Sequence, residues 1–499
     1  MTASPTAAAT TVNFNPETRV LINGQLREAA SGRTADNLNP ATEEVLGVAA
    51  DASAEDMDEA IAAARRAFDT TDWSTNRDFR RHCLNQLHEA LQEEKEDMRA
   101  ELVAEAGAPL GTTYIAQLDW PLADAVRWPA EYISDFRWER QLDVDDKLGA
   151  PYHRMVVKEP MGVVGAITPW NFPTEIIANK VGQILATGNT MILKPAIETP
   201  WSALRWGRII AEKTDIPAGV VNVVTASDNN VAQRLLTDPR VDMISFTGST
   251  AVGELIGRLT ASTMKRNLME LGGKSVYLLL DDVDLTATVP GCIGALIHSG
   301  QGCALTTRML VPRKHYDAAV ELATATFGSV TVGDPSDPAN FCGPLVSAKQ
   351  RERVLDYIRI AKEQGARVTV GGGKPEGLDR GYFVAPTVLA DVAPDHRVFQ
   401  EEIFGPVITI TPYDGGDDGA VEMANNSIYG LAGSVFGADD RAIAVARRIR
   451  TGSVNVNNSI FYGPDAPFGG YKMSGIGRQN GIEGFEQHLQ TKVIAYPAG

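Results

Sequence analysis

Two short strings hold residues able to do chemistry together. Cys303 lies in GQGCALTTR, where small neighbours let a thiol approach a substrate carbonyl, and Glu270 lies in MELGGKS, where a carboxylate can serve as the base that activates water. A thiol that adds to a carbonyl and a base that later hydrolyses the adduct describe covalent catalysis through a thioester. Asn171, in TPWNFP, offers an amide N–H to polarise a carbonyl oxygen, or else caps the turn before Pro173. Taken singly, Cys303 reads equally as a buried structural cysteine and Glu270 as a solvated acid at the end of an element.

Further strings could hold a ligand. GSTAVG, residues 248–253, places Gly248, Ser249 and Gly253 where a strand passes into a helix, so its backbone N–H groups suit a phosphate, or simply a helix cap. Lys194 ends the apolar run TMILK, where α/β proteins bind ligands, with an ordinary solvated lysine as the alternative. In EEIFGPV, Glu402 and Phe404 are two residues apart and share a side if the segment is extended, as a hydroxyl acceptor with a flat apolar face. The alternative is a loop acid beside a core aromatic.

Elements that could position these groups follow from periodicity. Ser53, with Asp56 three residues on, predicts a capped helix carrying Met57, Ile61, Ala64 and Phe68. A single second helix is expected to carry Leu84, Leu87, Leu91, Met98 and Leu102 and to stop at Gly107. The short runs GVVGAIT, TMILKP, GVVNVVTA and DMISFTGS, separated by helical segments, predict buried parallel strands in βα units. Helices are expected to start at Thr199-Pro200 and at Gly248-Ser249-Thr250. A second α/β series begins near Gly273, with KSVYLLL, RMLVPR, a helix opened by Ser347, and SVNVNN. The fold class is therefore α/β. The segment near 143–154 and the final QTKVIAYPAG lack a helical stripe and are expected as strands outside both cores.

Bulk properties narrow the class. With 499 residues the chain exceeds one ordinary core, and 44% hydrophobic with 22% charged residues is a soluble globular composition. A formal charge of −17 argues against nucleic-acid and anionic-membrane partners, while leaving room for a local basic pocket. The four cysteines, Cys83, Cys292, Cys303 and Cys342, form neither a disulfide framework nor a paired CxxC zinc site, so a reducing compartment, the cytoplasm, is expected and no metal. No secretory signal or membrane span is visible, and residues 1–15 are expected as a disordered tail.

Seven strings in one order, TPWNFP, MILKP, FTGST, MELGGKS, GQGC, EEIFGPV and PFGGYKMSGIGR, resemble the aldehyde dehydrogenase superfamily from about residue 20 to the C-terminus. The resemblance implies an NAD(P)-dependent oxidation of an aldehyde to a carboxylic acid. Cys303 is then the nucleophile that forms a thiohemiacetal, with the oxyanion held by the Asn171 side chain and the Cys303 N–H. Glu270 deprotonates the hydrolytic water, and its presence separates the chain from the branch that resolves its thioester with CoA. Glu402 holds the nicotinamide ribose, Phe404 packs near the ring, Lys194 takes the adenosine ribose and Ser249 the pyrophosphate. Trp170, Glu198, Gly248, Gly253 and Leu271 complete the cofactor set, while Lys180 and Lys274 tune the thiol or the base.

Two positions depart from the family pattern. Where NAD-preferring relatives carry a glutamate three residues after the KP lysine, this chain has Ile197, with Glu198 one residue later, so NAD is expected and NADP stays open. Gln479 replaces the glutamate that usually follows GxGR, with no consequence attached to it. By position, Glu175, Ile176, Asn179, Ile297, Ile460 and Phe461 border the aldehyde tunnel, although Glu175 and Asn179 read equally as partners of Lys180. The implied architecture is a Rossmann-like NAD(P)-binding domain (16–136 and 155–272), an α/β catalytic domain (273–467) and a small β oligomerisation element (137–154 and 468–499), assembled as a homodimer or homotetramer. Two alternatives remain: an NADP-preferring semialdehyde dehydrogenase, and a non-catalytic dinucleotide-binding protein of the same fold.

Overall fold

The four apolar runs of the first half become neighbouring parallel strands. In a computed structural model of the protein, which describes residues 15–498, Val163–Ile167, Thr190–Lys194, Val221–Val223, Met243–Thr247 and Arg266–Glu270 lie side by side in parallel register. Antiparallel strands close both edges, Gly475–Ile476 beside Arg266–Glu270 and the hairpin Val20–Ile22/Gln25–Arg27 beside Val221–Val223. The expected tail lies outside the described residues, apart from Asn15.

A second sheet takes Thr387–Ala390, Val407–Tyr413, Arg308–Pro312, Val276–Leu279, Gly433–Phe436 and Asn455–Val456 in parallel, with Arg367–Val370 antiparallel at one edge. Strands buried on both faces explain the near-continuous Val, Ile and Leu runs. Two α/β layers in one chain agree with the expected fold class.

Helix starts follow local chemistry. At Ser53 the capping box is complete: the serine hydroxyl accepts from Asp56 N–H and the Asp56 carboxylate accepts from Ser53 N–H at 2.8 Å. The apolar face of Ala54–Thr70 then buries Met57, Ala60, Ile61 and Ala64. The helix expected from Leu84 through Leu102 is instead two, Arg77–Glu93 and Lys95–Glu105. Glu94 leaves helical geometry (φ −96°, ψ 7°), and its carboxylate is held by Arg205 and Arg208 of the helix Pro200–Lys213. That ion pair is a tertiary demand which the heptad of leucines does not encode.

The non-core segments form a separate antiparallel sheet, Leu489–Pro497 on Tyr152–Pro160 and the latter on Glu139–Gln141. Its boundaries differ from the expected ones. The middle strand runs six residues past 154, and within 468–499 the strand Gly475–Ile476 belongs to the first sheet while the helix Gly481–Gln487 packs on Pro173–Ala186. Gly475 permits the switch: a Cβ there would meet the Met269 carbonyl oxygen at 2.0 Å, so only glycine lets this strand lie against the one ending in Glu270.

Candidate active site

The C-terminal ends of the first sheet's strands deliver most of the chemistry, as open α/β sheets do. Val163–Ile167 passes through Trp170 and Asn171 into the helix Pro173–Ala186; Met243–Thr247 passes through Gly248 and the N-cap Ser249 into Thr250–Thr260; Arg266–Glu270 ends on Glu270 itself. Cys303 comes from the other side, from the loop before Arg308–Pro312.

That loop is fixed tightly. His298, Ser299 and Gly300 are successive left-handed residues (φ 48°, 54° and 74°), and a Cβ on Gly300 would meet the Gly405 carbonyl oxygen at 2.0 Å. Ser299 Oγ donates to Gly343 O at 2.7 Å, and Gln301 Oε1 accepts from Val346 N–H at 3.0 Å. The Gln301 carbonyl in turn accepts from Asn171 Nδ2 at 2.8 Å, which ties the cysteine loop to the asparagine and leaves the amide a second N–H.

Cys303, Glu270 and Asn171 lie together on the walls of two adjoining cavities, one of about 410 Å³ and one of about 320 Å³. Glu270 is buried to 3% exposure, and neither of its oxygens has a hydrogen-bond partner among the described residues. Burial pushes its carboxyl well above the usual range, against the opposing charges of Lys180 and Arg478. Gly469 makes room for it, since a Cβ there would come within 2.8 Å of Glu270 Oε1. The half-buried Cys303 is pushed up by burial first and then by the charges of Glu175, Glu402 and Glu270. It is therefore a thiol in this state, and its use as a nucleophile requires a proton acceptor nearby.

The larger cavity gathers Trp170, Glu198, Gly248, Ser249, Leu271, Glu402 and Phe404 of the expected cofactor set. Gly253 and Lys194 are not among its lining residues. Gly253 lies behind Leu271, whose side chain a Cβ would meet at 2.6 Å, and Lys194 is buried at its strand end with its ammonium held down by burial against the charges of Glu198 and Asp51. The EEIF segment is not extended, because Phe404 is left-handed (φ 63°). The helix Ala348–Glu363 clamps it, Gln350 Nε2 donating to Phe404 O at 2.6 Å and Arg353 Nη2 to Glu402 O at 2.7 Å. Phe404 meets Trp170 edge to face at 5.5 Å, and Glu402 Oε1 accepts from Gly273 N–H at 2.9 Å. Lys349, Gln350 and Arg353 also line this cavity; they carry no motif, and only the expected helix after Ser347 pointed towards them.

All six expected tunnel residues, Glu175, Ile176, Asn179, Ile297, Ile460 and Phe461, line the smaller cavity. Trp120, Tyr462 and Phe468 line it too and were not singled out by the sequence. Lys180 is not the partner of Glu175 or Asn179: its Nζ donates to Ser245 Oγ at 3.0 Å and to Gln479 Oε1 at 3.4 Å, and its charge faces Glu270. Burial holds the Lys274 ammonium down to about 7, and the charges acting on it are those of Arg308 and Glu402.

The chain is similar to known proteins over nearly its whole length. Residues 26–494 match the aldehyde dehydrogenase family. A 3-succinoylsemialdehyde-pyridine dehydrogenase from a Pseudomonas species is 41% identical over 95% of this chain and 97% of its own. Among solved structures, an aldehyde dehydrogenase of Mycobacterium tuberculosis complexed with NAD+ is 40% identical, with a TM-score of 0.92 over 98% of this chain and 99% of its own. Aldehyde dehydrogenase C of Pseudomonas syringae, as a mutant complexed with NAD+ and octanal, is 37% identical, with a TM-score of 0.91 over 97% of this chain and 98% of its own. With this match spanning nearly the whole sequence, the chain belongs to the aldehyde dehydrogenase family.

Proposed function

We propose that the protein oxidises an aldehyde to a carboxylic acid with reduction of NAD, through a thioester on Cys303 hydrolysed by water that Glu270 activates. The observation that carries this is Glu270: a buried carboxyl whose two oxygens have no partner among the described residues, on the same cavity walls as a free thiol. An unsatisfied buried carboxyl costs about 1–3 kcal/mol, which supports water as its partner in the reaction.

The larger cavity fits a dinucleotide. Ser249 caps an eleven-residue helix whose N-terminal N–H groups suit a pyrophosphate, the buried Thr247 hydroxyl at its wall is without a partner among the described residues, and Glu198 and Glu402 are acceptors for ribose hydroxyls. An exposed carboxylate at Glu198 repels a 2′-phosphate, which favours NAD over NADP. When bound, the nicotinamide supplies the hydride acceptor.

The chain's own residues do the rest. Asn171 and the Cys303 N–H hold the oxygen of the tetrahedral adduct, worth about 3 kcal/mol for one donor. The Cys303 proton passes to a carboxylate of the site, and Glu270 then removes a proton from the water that attacks the thioester. Lys180 and Arg478 favour the ionised base. The separate sheet exposes Val493, Ile494 and Tyr496 on its long strand, which supports assembly into a dimer or tetramer through that sheet. Four free cysteines suit a reducing compartment, and we assign the enzyme to the cytoplasm.

The test is absorbance of reduced nicotinamide with purified protein, aliphatic and aromatic aldehydes, and NAD or NADP supplied separately. Turnover with NAD that is lost in Cys303→Ala is the expected result. Cofactor binding without turnover on any aldehyde would favour the non-catalytic alternative.

A further inference from the structure

The smaller cavity contains more than an aldehyde oxidation requires. Its walls mix apolar side chains such as Ile176, Ile297, Ile460 and Phe461 with the amides of Asn171, Asn179 and Gln479, and they include a second carboxyl, Glu175, besides Glu270; among the described residues no lysine, arginine or histidine lines them. Glu175 stands in the first turn of the helix Pro173–Ala186, where the helix dipole favours an anion. Tyr462 lines the cavity with Glu175 and Asn179, its hydroxyl pulling the Glu175 pKa down, and its ring stacks on Trp120 with centroids 6.5 Å apart. Burial pushes the Glu175 carboxyl up to about 7. A pocket meant for a plain alkyl chain gains nothing from that cost.

We propose that Glu175, positioned by Tyr462, makes the cavity select aldehydes carrying a protonated amine and reject aldehydes carrying a carboxylate. This rests on the assignment of the cavity to the aldehyde. An ammonium brings the countercharge the carboxylate lacks, with the Trp120 ring on the same wall as a cation-favouring face. A carboxylate tail instead enters a space whose walls hold two acids and, among the described residues, no lysine, arginine or histidine. Glu175 is thus a specificity residue, and the semialdehydes of organic acids are poor substrates.

The experiment compares kcat/KM for three aldehydes of matched chain length, one unsubstituted, one with a terminal amine and one with a terminal carboxylate. It uses the wild-type enzyme, Glu175→Gln and Tyr462→Phe, all with NAD. The wild type is expected to prefer the amine over the carboxylate by about 100-fold, and Glu175→Gln to reduce that ratio at least about tenfold, as for removal of one member of a buried charge pair. Tyr462→Phe keeps the acid and reduces the ratio less. A wild-type ratio near one, or a ratio that Glu175→Gln leaves unchanged, overturns the proposal while the dehydrogenase assignment stands. Absence of turnover with all three aldehydes overturns both.

Discussion

Glu105 and Glu270 are both buried glutamates, at 0% and 3% exposure, and they are treated in opposite ways. Glu105 ends the helix Lys95–Glu105 and accepts from Asn37 Nδ2 at 2.9 Å, Trp201 N–H at 3.0 Å, Ser202 N–H at 2.8 Å and the Ser202 hydroxyl. It caps the start of Pro200–Lys213 from outside, a service Thr199 does not perform. Glu270 has no hydrogen-bond partner among the described residues. One carboxyl fastens a helix; the other faces a cavity. The same residue type is a helix anchor in one place and faces a cavity beside a free thiol in the other.

Substitutions can break that contrast. Cys303→Ala is expected to lower kcat/KM by about 10⁴-fold or more while dinucleotide binding persists, checked by steady-state absorbance and by cofactor fluorescence titration. Glu270→Gln should cost about 10²- to 10⁴-fold in turnover, with a rapid burst of one reduced cofactor per site before the slow phase, and its melting temperature should match or exceed the wild type. Turnover at the wild-type rate would remove Glu270 as the base. Asn171→Ala is expected to lose about 10²- to 10³-fold in kcat. Glu105→Ala should reverse the pattern: about 2–4 kcal/mol of stability lost in denaturant unfolding, since four donors are stranded, with kcat/KM of the folded enzyme within about twofold of wild type.

The asymmetry between these two acids also explains what the sequence revealed. Glu270, Cys303 and Asn171 sit in strings whose order resembles a family, so their convergence was legible, as were the strands, because burial on both faces leaves unbroken apolar runs. Glu105 is invisible in sequence because its donors lie about seventy and one hundred residues away, at Asn37, Trp201 and Ser202. The break at Glu94 and the left-handed Phe404 were missed for the same reason: Arg205 and Arg208 impose the first, and Gln350 and Arg353 hold the second. Trp120 and Tyr462 reach the smaller cavity from distant segments without a motif, so the tunnel was only half legible.

The smallest expected effect concerns pH and separates the two acids once more. Both carboxyls hold a proton more tightly folded than unfolded, Glu105 up to about 7 and Glu270 well above the ordinary 4.5. Each therefore contributes stability that is complete below about pH 4.5 and is lost as pH rises, for Glu105 through about 7. On the proposed mechanism activity runs the other way, because a base at Glu270 must be a carboxylate: hydrolysis should increase with pH through the neutral range and beyond. Lys180 pulls the Glu270 pKa down, and Gln479 accepts from Lys180 without adding a charge. Lys180→Met should then move the rising limb of kcat about one pH unit higher, with the burst of reduced cofactor still present. A limb that stays in place would mean that the ammonium does not act on the base, and that burial alone sets its proton affinity.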